Sequence, residues 1–172
     1  MLKVASGKLA AMIVAVAMAA GTGAMSAQAG GGTVLKPSDM EKMLPDRVFY
    51  RGQSATTQLR NSGGIKFGDG FFVLATMVDT SGYSTDVQAK YQAYFITEVP
   101  IKLAGQSLGA GVYGIGFVGD KLIVTDVGAH DMLTVPSTAD AELKRPMPMQ
   151  MQADPSGGFR LYALRRYVAI SR

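Results

Sequence analysis

Cysteine is absent from this sequence of 172 residues, and histidine occurs only once. Without cysteine the chain can form neither disulfides nor thiolate metal sites, and it has no thiol nucleophile. The fold therefore has to be held together by an ordinary apolar core. The single histidine, His130, also leaves too few ligands for a usual zinc site unless several carboxylates contribute.

Long apolar runs are scarce, and the most prominent one lies near the N-terminus. Leu9 to Ala20 form a run of 12 apolar residues, which is shorter than the ~20 residues that a transmembrane helix needs. Lys3 and Lys8 supply positive charge around its start, and Ala27 and Ala29 place small residues at the two positions that signal peptidase reads. This three-part pattern predicts a secretory signal peptide.

The signal peptide is predicted to span residues 1–29, with cleavage after Ala29. Cleavage would leave 143 of the 172 residues, which is the size of one domain with one core, and no transmembrane anchor. Two lysines leave with the peptide and all 13 acidic residues remain, so the formal net charge falls from +4 to +2. So small a charge gives no indication of nucleic-acid binding. We expect an exported protein, periplasmic or extracellular.

Acidic residues are rare in the last part of the chain. After residue 143, Asp154 is the only acidic residue and stands against six basic ones: Lys144, Arg145, Arg160, Arg165, Arg166 and Arg172. We expect a solvated basic end of the domain, and the alternative is an anionic partner or a membrane surface.

Short strands separated by turn signals dominate the sequence from Arg47 onward. Phe71 to Val78 are continuously apolar, which predicts a strand buried on both faces. Val99 to Leu103 alternate, and Pro100 indicates an edge strand or a strand end, because proline donates no ladder hydrogen bond. Turn residues recur at short intervals, at 62–64, 68–70, 81–83, 119–120 and 155–158.

This pattern predicts an all-β fold, either a β-sandwich or a small barrel, with mainly antiparallel strands. Residues 30–37 are predicted to be a flexible lead-in, and residues 38–172 to form a single β-rich domain. One to three short helices are expected, because Ser38–Glu41, Thr85–Gln88 and Ser137–Asp140 have the spacing of a capping box.

The segment GAGVYG, which begins at Gly109, has the G-x-G-x-x-G spacing of dinucleotide-binding loops. Such a loop needs a helix after its last glycine. Here Gly116, Gly119 and several β-branched residues follow, and they disfavour a helix. The same residues fit a strand that ends in a two-residue hairpin loop, Gly119-Asp120. We therefore predict a β-hairpin and no nicotinamide cofactor.

The predicted hairpin fixes which residues face each other across the ladder. Counting outward from the loop gives four pairs: Phe117 with Leu122, Gly116 with Ile123, Ile115 with Val124, and Tyr113 with Asp126. Large side chains share one face of the first strand, and Gly114 and Gly116 leave a slim surface on the other. The prediction leaves open whether another part of the protein or a ligand packs there.

The segment GQSLGAGVYGIGF, from Gly105 to Phe117, resembles the G-x-x-L-P-A-G-x-Y turn and strand of a family of secreted bacterial proteins of unknown function. Five positions match, and Gly109 stands where that family usually has proline. The segment YRGQSATTQL resembles the W-R-x-G-A-N-x-A-T segment of the same family, with Tyr50 in place of tryptophan. The resemblance implies a secreted β-rich domain and carries no activity.

His130 is the one candidate for catalysis. It lies close in sequence to Asp126 and Asp131, and serines are plentiful, so a Ser-His-Asp hydrolase is one hypothesis. The G-x-S-x-G elbow that would position a serine nucleophile is missing. We favour a histidine that is hydrogen-bonded to a neighbour in a loop or at a strand end.

Three methionines alternate in the segment RPMPMQMQ. A strand would place Met147, Met149 and Met151 on one face, and soft thioethers suit Cu(I). The favoured interpretation is an apolar face packed on the core, with methionine as a gap filler. Pro146 and Pro148 indicate an edge position, where such a face would still be reachable.

The favoured function is an exported, non-enzymatic β-domain with a binding or structural role and no assigned cofactor. The alternatives are an exported hydrolase that uses His130 and a periplasmic Cu(I)-binding protein that uses the three methionines. An outer-membrane barrel would fit the length, but the C-terminal VAISR lacks the usual final aromatic residue. Tyr83, Tyr91 and Tyr94 lie close in sequence and are expected in the core rather than at a binding surface.

Overall fold

The computed structural model describes residues 31–172. The predicted signal peptide and its cleavage site at Ala29 lie outside the described residues. Within them the chain forms fourteen strands and two short helices, and all the strand pairs are antiparallel. The predicted all-β fold is confirmed. Neither helix has the length and apolar character needed to cross a membrane.

The elements follow one another along the chain with short connections. The helices are α1 (Pro37–Met40) and α2 (Thr85–Lys90). The strands are β1 (Gly32–Leu35), β2 (Arg47–Tyr50), β3 (Gln53–Phe67), β4 (Phe72–Val78), β5 (Ala93–Thr97), β6 (Ile101–Leu103), β7 (Gln106–Leu108), β8 (Gly111–Val118), β9 (Lys121–Thr125), β10 (Asp131–Pro136), β11 (Thr138–Ala139), β12 (Gln150–Ala153), β13 (Phe159–Ala163) and β14 (Arg166–Ser171).

The strands form two sheets that enclose the main core. The larger sheet has the order β1-β3-β4-β5-β8-β9-β10, with β2 paired to β3, and the smaller has the order β12-β13-β14-β6-β7, with β11 paired to β14. Phe95 and Ile115 of the larger sheet pack with Leu103, Leu161 and Val168 of the smaller one. The architecture is a β-sandwich.

The outer face of the larger sheet is also covered. Met40 and Leu44, in and after α1, pack against Leu74 of β4. The β2 strand and α2 cover a second region through Tyr50 and Tyr91. Because β4 is covered on both faces, its apolar side chains do not alternate with polar ones, as its sequence predicted.

The β8–β9 hairpin forms as predicted at three of the four pairs. The fourth fails because β9 ends at Thr125. On its other side β8 pairs with β5, where Tyr113 lies opposite Phe95. The slim glycine surface is filled by the protein itself. A Cβ atom at Gly114 would lie 2.7 Å from ring atoms of Tyr50 and Tyr91, and one at Gly116 would lie 2.5 Å from the carbonyl oxygen of Ala89 in α2.

Several local predictions are corrected by long-range pairing. Half of the expected flexible lead-in, Gly32–Leu35, is strand β1, which pairs with β3 at the edge of the larger sheet. Residues 62–64 are part of β3 rather than a turn, and a bulge separates them from Gln58. Ser137 and Asp140 flank strand β11 rather than a helix.

The two helices begin at other residues than their capping-box spacing predicted. Lys36 is the N-cap of α1, and the Asp39 carboxylate accepts the Lys36 N–H at 2.9 Å. Ser84 is the N-cap of α2. Pro100 precedes β6, which confirms the strand-end interpretation, and β6 itself lies between β14 and β7.

Candidate functional site

His130 lies in the loop between β9 and β10, paired with Asp126. Its Nδ1 is 2.9 Å from Asp126 Oδ2, and Asp126 Oδ1 accepts the backbone N–H groups of His130 and Gly128. These hydrogen bonds, the backbone one from His130 first, lower the pKa of Asp126. The His130 side chain is 80% exposed. The pair therefore shapes a surface loop.

The other parts of a hydrolase site are not assembled around this pair. Asp131, the second acidic neighbour of His130, forms an ion pair of 2.9 Å with Lys90 of α2. Among the hydrogen bonds of residues 31–172, none joins His130 to a serine. The structure thus brings His130 and one carboxylate together and leaves the nucleophile unassigned.

The three methionines do not share an accessible face. Met149 and Met151 are buried in the main core between the sheets, and only Met151 belongs to strand β12. Met147 is half-buried and borders an open cleft. The described residues also contain no cluster of three or more histidine, aspartate or glutamate side chains that could hold a metal ion.

Tyr50, Tyr83 and Tyr91 form an aromatic cluster on the outer face of the larger sheet. The rings of Tyr50 and Tyr91 stack with centroids 3.7 Å apart, and Tyr83 meets both rings edge-on. Tyr50 shares a hydrogen bond of 2.7 Å with Thr125. Burial raises the pKa of Tyr91, whose hydroxyl lacks a partner among the described residues. The core prediction is confirmed for Tyr83 and Tyr91, whereas Tyr94 is half-buried.

An open cleft of about 620 Å³ lies between the segment 140–147 and strands β12 and β13. We call it the polar cleft. Apolar atoms make up most of its exposed lining, and amide and charged side chains add polar groups, so it offers both kinds of contact. Its lining residues are Asp140, Glu142, Leu143, Lys144, Arg145, Met147, Gln150, Gln152, Ala153, Pro155, Arg160 and Tyr162.

Strand β13 supplies the central polar groups of this cleft. Phe159 and Leu161 point into the main core. Because side chains alternate along a strand, Arg160 and Tyr162 lie on the opposite face. Tyr162 is almost fully buried, and its hydroxyl donates a hydrogen bond of 2.8 Å to Asp140 Oδ2. This bond ties strand β13 to the segment that forms the other wall.

Arg160 is held from three sides. Its Nε and Nη2 donate to the two carboxylate oxygens of Asp154 at 2.8 and 3.1 Å. Its guanidinium carbon lies 4.4 Å from the centroid of the Tyr167 ring, a cation–π contact. Its Nη1 reaches the Tyr162 hydroxyl at 3.4 Å. A guanidinium held in this way presents its remaining N–H groups in a fixed direction.

The charges in this network are fixed at neutral pH. The hydrogen bonds from Arg160 lower the pKa of Asp154 to about 2, and the same contacts raise the pKa of Arg160. Burial raises the pKa of Tyr162. The Asp154 side chain is only 6% exposed, so solvent screens this pair weakly.

Comparisons with protein-family models, with curated proteins and with solved structures find no match for this chain. The role of the polar cleft therefore has to be inferred from its geometry and chemistry.

No local sequence pattern predicts the polar cleft. The capping-box spacing places Asp140 at a helix start, and the charge pattern places Arg160 in a solvated basic end. One signal was present: the predicted turn at 155–158 would fold Asp154 back toward Arg160. The Tyr162–Asp140 bond spans 22 residues, and no local pattern marks it.

Proposed function

We propose that the mature chain is an exported, non-catalytic β-sandwich that binds a polar ligand in the polar cleft. The observation that carries this proposal is the network of Arg160, Asp154, Tyr162 and Asp140, which holds donors and acceptors in place beside an open space. The cleft volume of about 620 Å³ falls in the usual range of ligand sites, ~300–1,000 Å³.

The protonation states in the cleft favour recognition over catalysis. A general acid or base works best with a pKa near the operating pH. The pKa of Asp154 is lowered, and the pKa values of Arg160 and Tyr162 are raised. All three shifts take the pKa farther from pH 7. These groups keep their protons or charges at pH 7, which suits fixed hydrogen bonding to a ligand.

The lining favours a ligand with little net charge and many hydrogen-bonding groups. The lining contains three cationic side chains and two acidic ones, Asp140 and Glu142. The third cation, Arg160, forms an ion pair with Asp154. Gln150 and Gln152 add amides that both donate and accept. Neighbouring apolar side chains would contact the carbon skeleton. A short neutral oligosaccharide or a short uncharged peptide has this chemistry.

Binding should be tested by titration of the purified mature chain with panels of neutral oligosaccharides and uncharged tripeptides. We expect at least one ligand to bind and to shift the backbone NMR signals of residues 140–155 and 160–162. Gln152→Ala should weaken binding roughly tenfold, equivalent to ~1.4 kcal/mol, because its amide lines the cleft. Gln106→Ala, an exposed glutamine on β7, is the matched control and should bind as the parent does.

Two other results would favour a different function. Turnover of a hydrolase substrate panel that is lost in His130→Ala would favour the hydrolase alternative. Tight Cu(I) binding under reducing conditions that is lost in Met149→Leu would favour the copper alternative. The export part of the proposal rests on the N-terminal pattern and on the resemblance to secreted proteins, and it is tested by the size of the exported chain.

A further inference from the structure

The β13–β14 hairpin ends in a turn that its sequence does not favour. Leu164 occupies the first loop position with φ at 52°, in the left-handed region where glycine or asparagine is preferred. Its side chain is 60% exposed. The turn thus displays a large apolar side chain to solvent, where it adds no apolar burial to the fold, and backbone strain of this kind is common at functional sites.

A groove of about 610 Å³ borders this turn. We call it the hairpin groove. It lies beside the polar cleft, on the Pro146 side of the connecting segment, and the Leu164 N–H donates to the Met147 carbonyl at 2.9 Å. Its lining residues are Gln92, Phe117, Pro146, Ala163, Leu164, Arg165 and Arg166. Phe117 is half-buried, so the groove has an aromatic floor.

The charge of the hairpin groove is entirely positive. Arg165 donates only from Nη1, to the carbonyls of Ala141 and Leu143 at 2.9 and 2.8 Å. Arg166 donates to the hydroxyl and the carbonyl of Ser137. No acidic residue lines the groove, and neither arginine forms an ion pair within residues 31–172. Two positioned guanidinium groups thus face an apolar groove without a compensating carboxylate.

We propose that the hairpin groove binds an anionic amphiphile, a single molecule with an acyl chain and a carboxylate head. The chain would pack along Phe117 and Leu164, and the head would accept hydrogen bonds from the Nε and Nη2 groups of Arg165. Guanidinium groups hydrogen-bond planar oxyanions in two-pronged geometry. Such a ligand would explain three features of the groove at once: the exposed Leu164, the aromatic ring of Phe117 and the arginines without an ion-pair partner in the described residues.

The proposal does not depend on the polar cleft, which is expected to take a neutral ligand. The two sites are separated by substitution: Gln152→Ala should leave binding in the hairpin groove unchanged. Loss of both kinds of binding in that variant would contradict the separation.

The test is calorimetric titration of the mature chain with dodecanoate below its micellar concentration. We expect saturable binding, with NMR shifts at residues 146 and 163–166. Acetate, which has the head group alone, and dodecyltrimethylammonium, which has the chain with opposite charge, should each bind at least ~10-fold more weakly. Equal binding of the two dodecyl compounds would overturn the proposal.

Leu164→Asn separates binding from folding. Asparagine tolerates the left-handed region, so this variant should be at least as stable as the parent and yet bind dodecanoate ~10-fold more weakly. Ala104→Gly is the matched control, because Ala104 also has a positive φ, 45°, in the β6–β7 turn. It should relieve backbone strain and leave binding unchanged. Undiminished binding in Leu164→Asn would overturn the proposal.

The role of charge is tested by the double variant Arg165→Gln/Arg166→Gln against Arg60→Gln, an exposed arginine in the β3 bulge. The double variant should lose dodecanoate binding, and Arg60→Gln should keep it.

Vesicles of phosphatidylglycerol distinguish binding of a free amphiphile from binding to a membrane. Binding to vesicles without binding of monomeric dodecanoate would overturn the groove proposal in favour of a membrane surface.

Discussion

At the scale of single residues, Gly114 lies where a larger side chain would collide with the tyrosine cluster. A Cβ atom there would lie 2.7 Å from the rings of both Tyr50 and Tyr91 and 2.8 Å from Thr125. We predict that Gly114→Ala lowers the free energy of unfolding by ~1–3 kcal/mol, the usual cost of overpacking a tight core. Urea denaturation measures this loss.

Gly109→Ala is the matched control within the same glycine motif. The nearest atom to a Cβ there is the Tyr113 hydroxyl at 3.9 Å, so the free energy of unfolding should change by less than ~0.5 kcal/mol. Equal losses in the two variants would mean that the motif has a requirement other than the space taken by the tyrosine rings.

Asp154 makes the stability of the fold depend on pH. Its pKa is about 2 in the folded protein and ~3.9 in an unfolded chain. Since the folded value is the lower one, its contribution is fully present above pH ~4 and is lost as the pH falls toward 2. We predict that parent and Asp154→Asn differ by on the order of 1–2 kcal/mol at pH 6, and that the difference shrinks at pH 2–3.

The control for this pH dependence is Asp120→Asn in the β8–β9 loop. Asp120 forms no ion pair within the described residues, so the Asn variant should follow the parent curve. Chemical denaturation from pH 2 to pH 7 gives all three curves. A constant gap between parent and Asp154→Asn would contradict the role given to the Arg160–Asp154 pair.

At the scale of elements, α2 rests directly on strand β8. A Cβ atom at Gly116 would lie 2.5 and 2.7 Å from the backbone oxygens of Ala89 and Lys90, which cannot rotate away as a side chain can. We predict that Gly116→Ala lowers the free energy of unfolding by more than ~2 kcal/mol. Hydrogen exchange should show faster opening of α2 in particular.

Asp131→Asn is the control for that prediction. It removes the ion pair between α2 and β10, whose side chains are 40% and 49% exposed, so the loss should be less than ~1 kcal/mol. If Asp131→Asn released α2 as strongly as Gly116→Ala, the helix would depend on the ion pair rather than on its packing against β8.

The elements that the sequence predicts well are those whose partners are close along the chain. The β8–β9 hairpin carries its own loop, Gly119-Asp120, and its pairs follow by counting. The turn that the composition of residues 62–64 predicts would interrupt strand β3. The structure needs a glycine there, since a Cβ at Gly63 would lie 2.7 Å from the Met151 nitrogen of β12, 88 positions farther along the sequence. The polar cleft depends on contacts of this long-range kind.

At the scale of the whole molecule, the first strand of the described residues lies close to the predicted cleavage site. Strand β1 starts at Gly32 and pairs with β3 from Gly32–Phe67 to Leu35–Gly64. Val34 packs on the main core and Leu35 on the cluster below α1. Only Gly30 and Gly31 therefore separate the predicted signal peptide from β1, and β1 is part of the sandwich.

Two truncations test this arrangement. A chain of residues 30–172 should have the same urea midpoint as the exported protein, whose mass should correspond to a chain starting at Gly30. A chain of residues 37–172 lacks β1 and exposes the edge of β3, so it should lose on the order of 2–3 kcal/mol of stability. The point variants Leu35→Ala and Thr33→Ala provide the matched comparison, because Leu35 is half-buried and Thr33 is exposed. If the two truncated chains were equally stable, residues 30–37 would behave as the flexible lead-in that their composition predicts. Strand β1 would then contribute nothing to the stability of the sandwich.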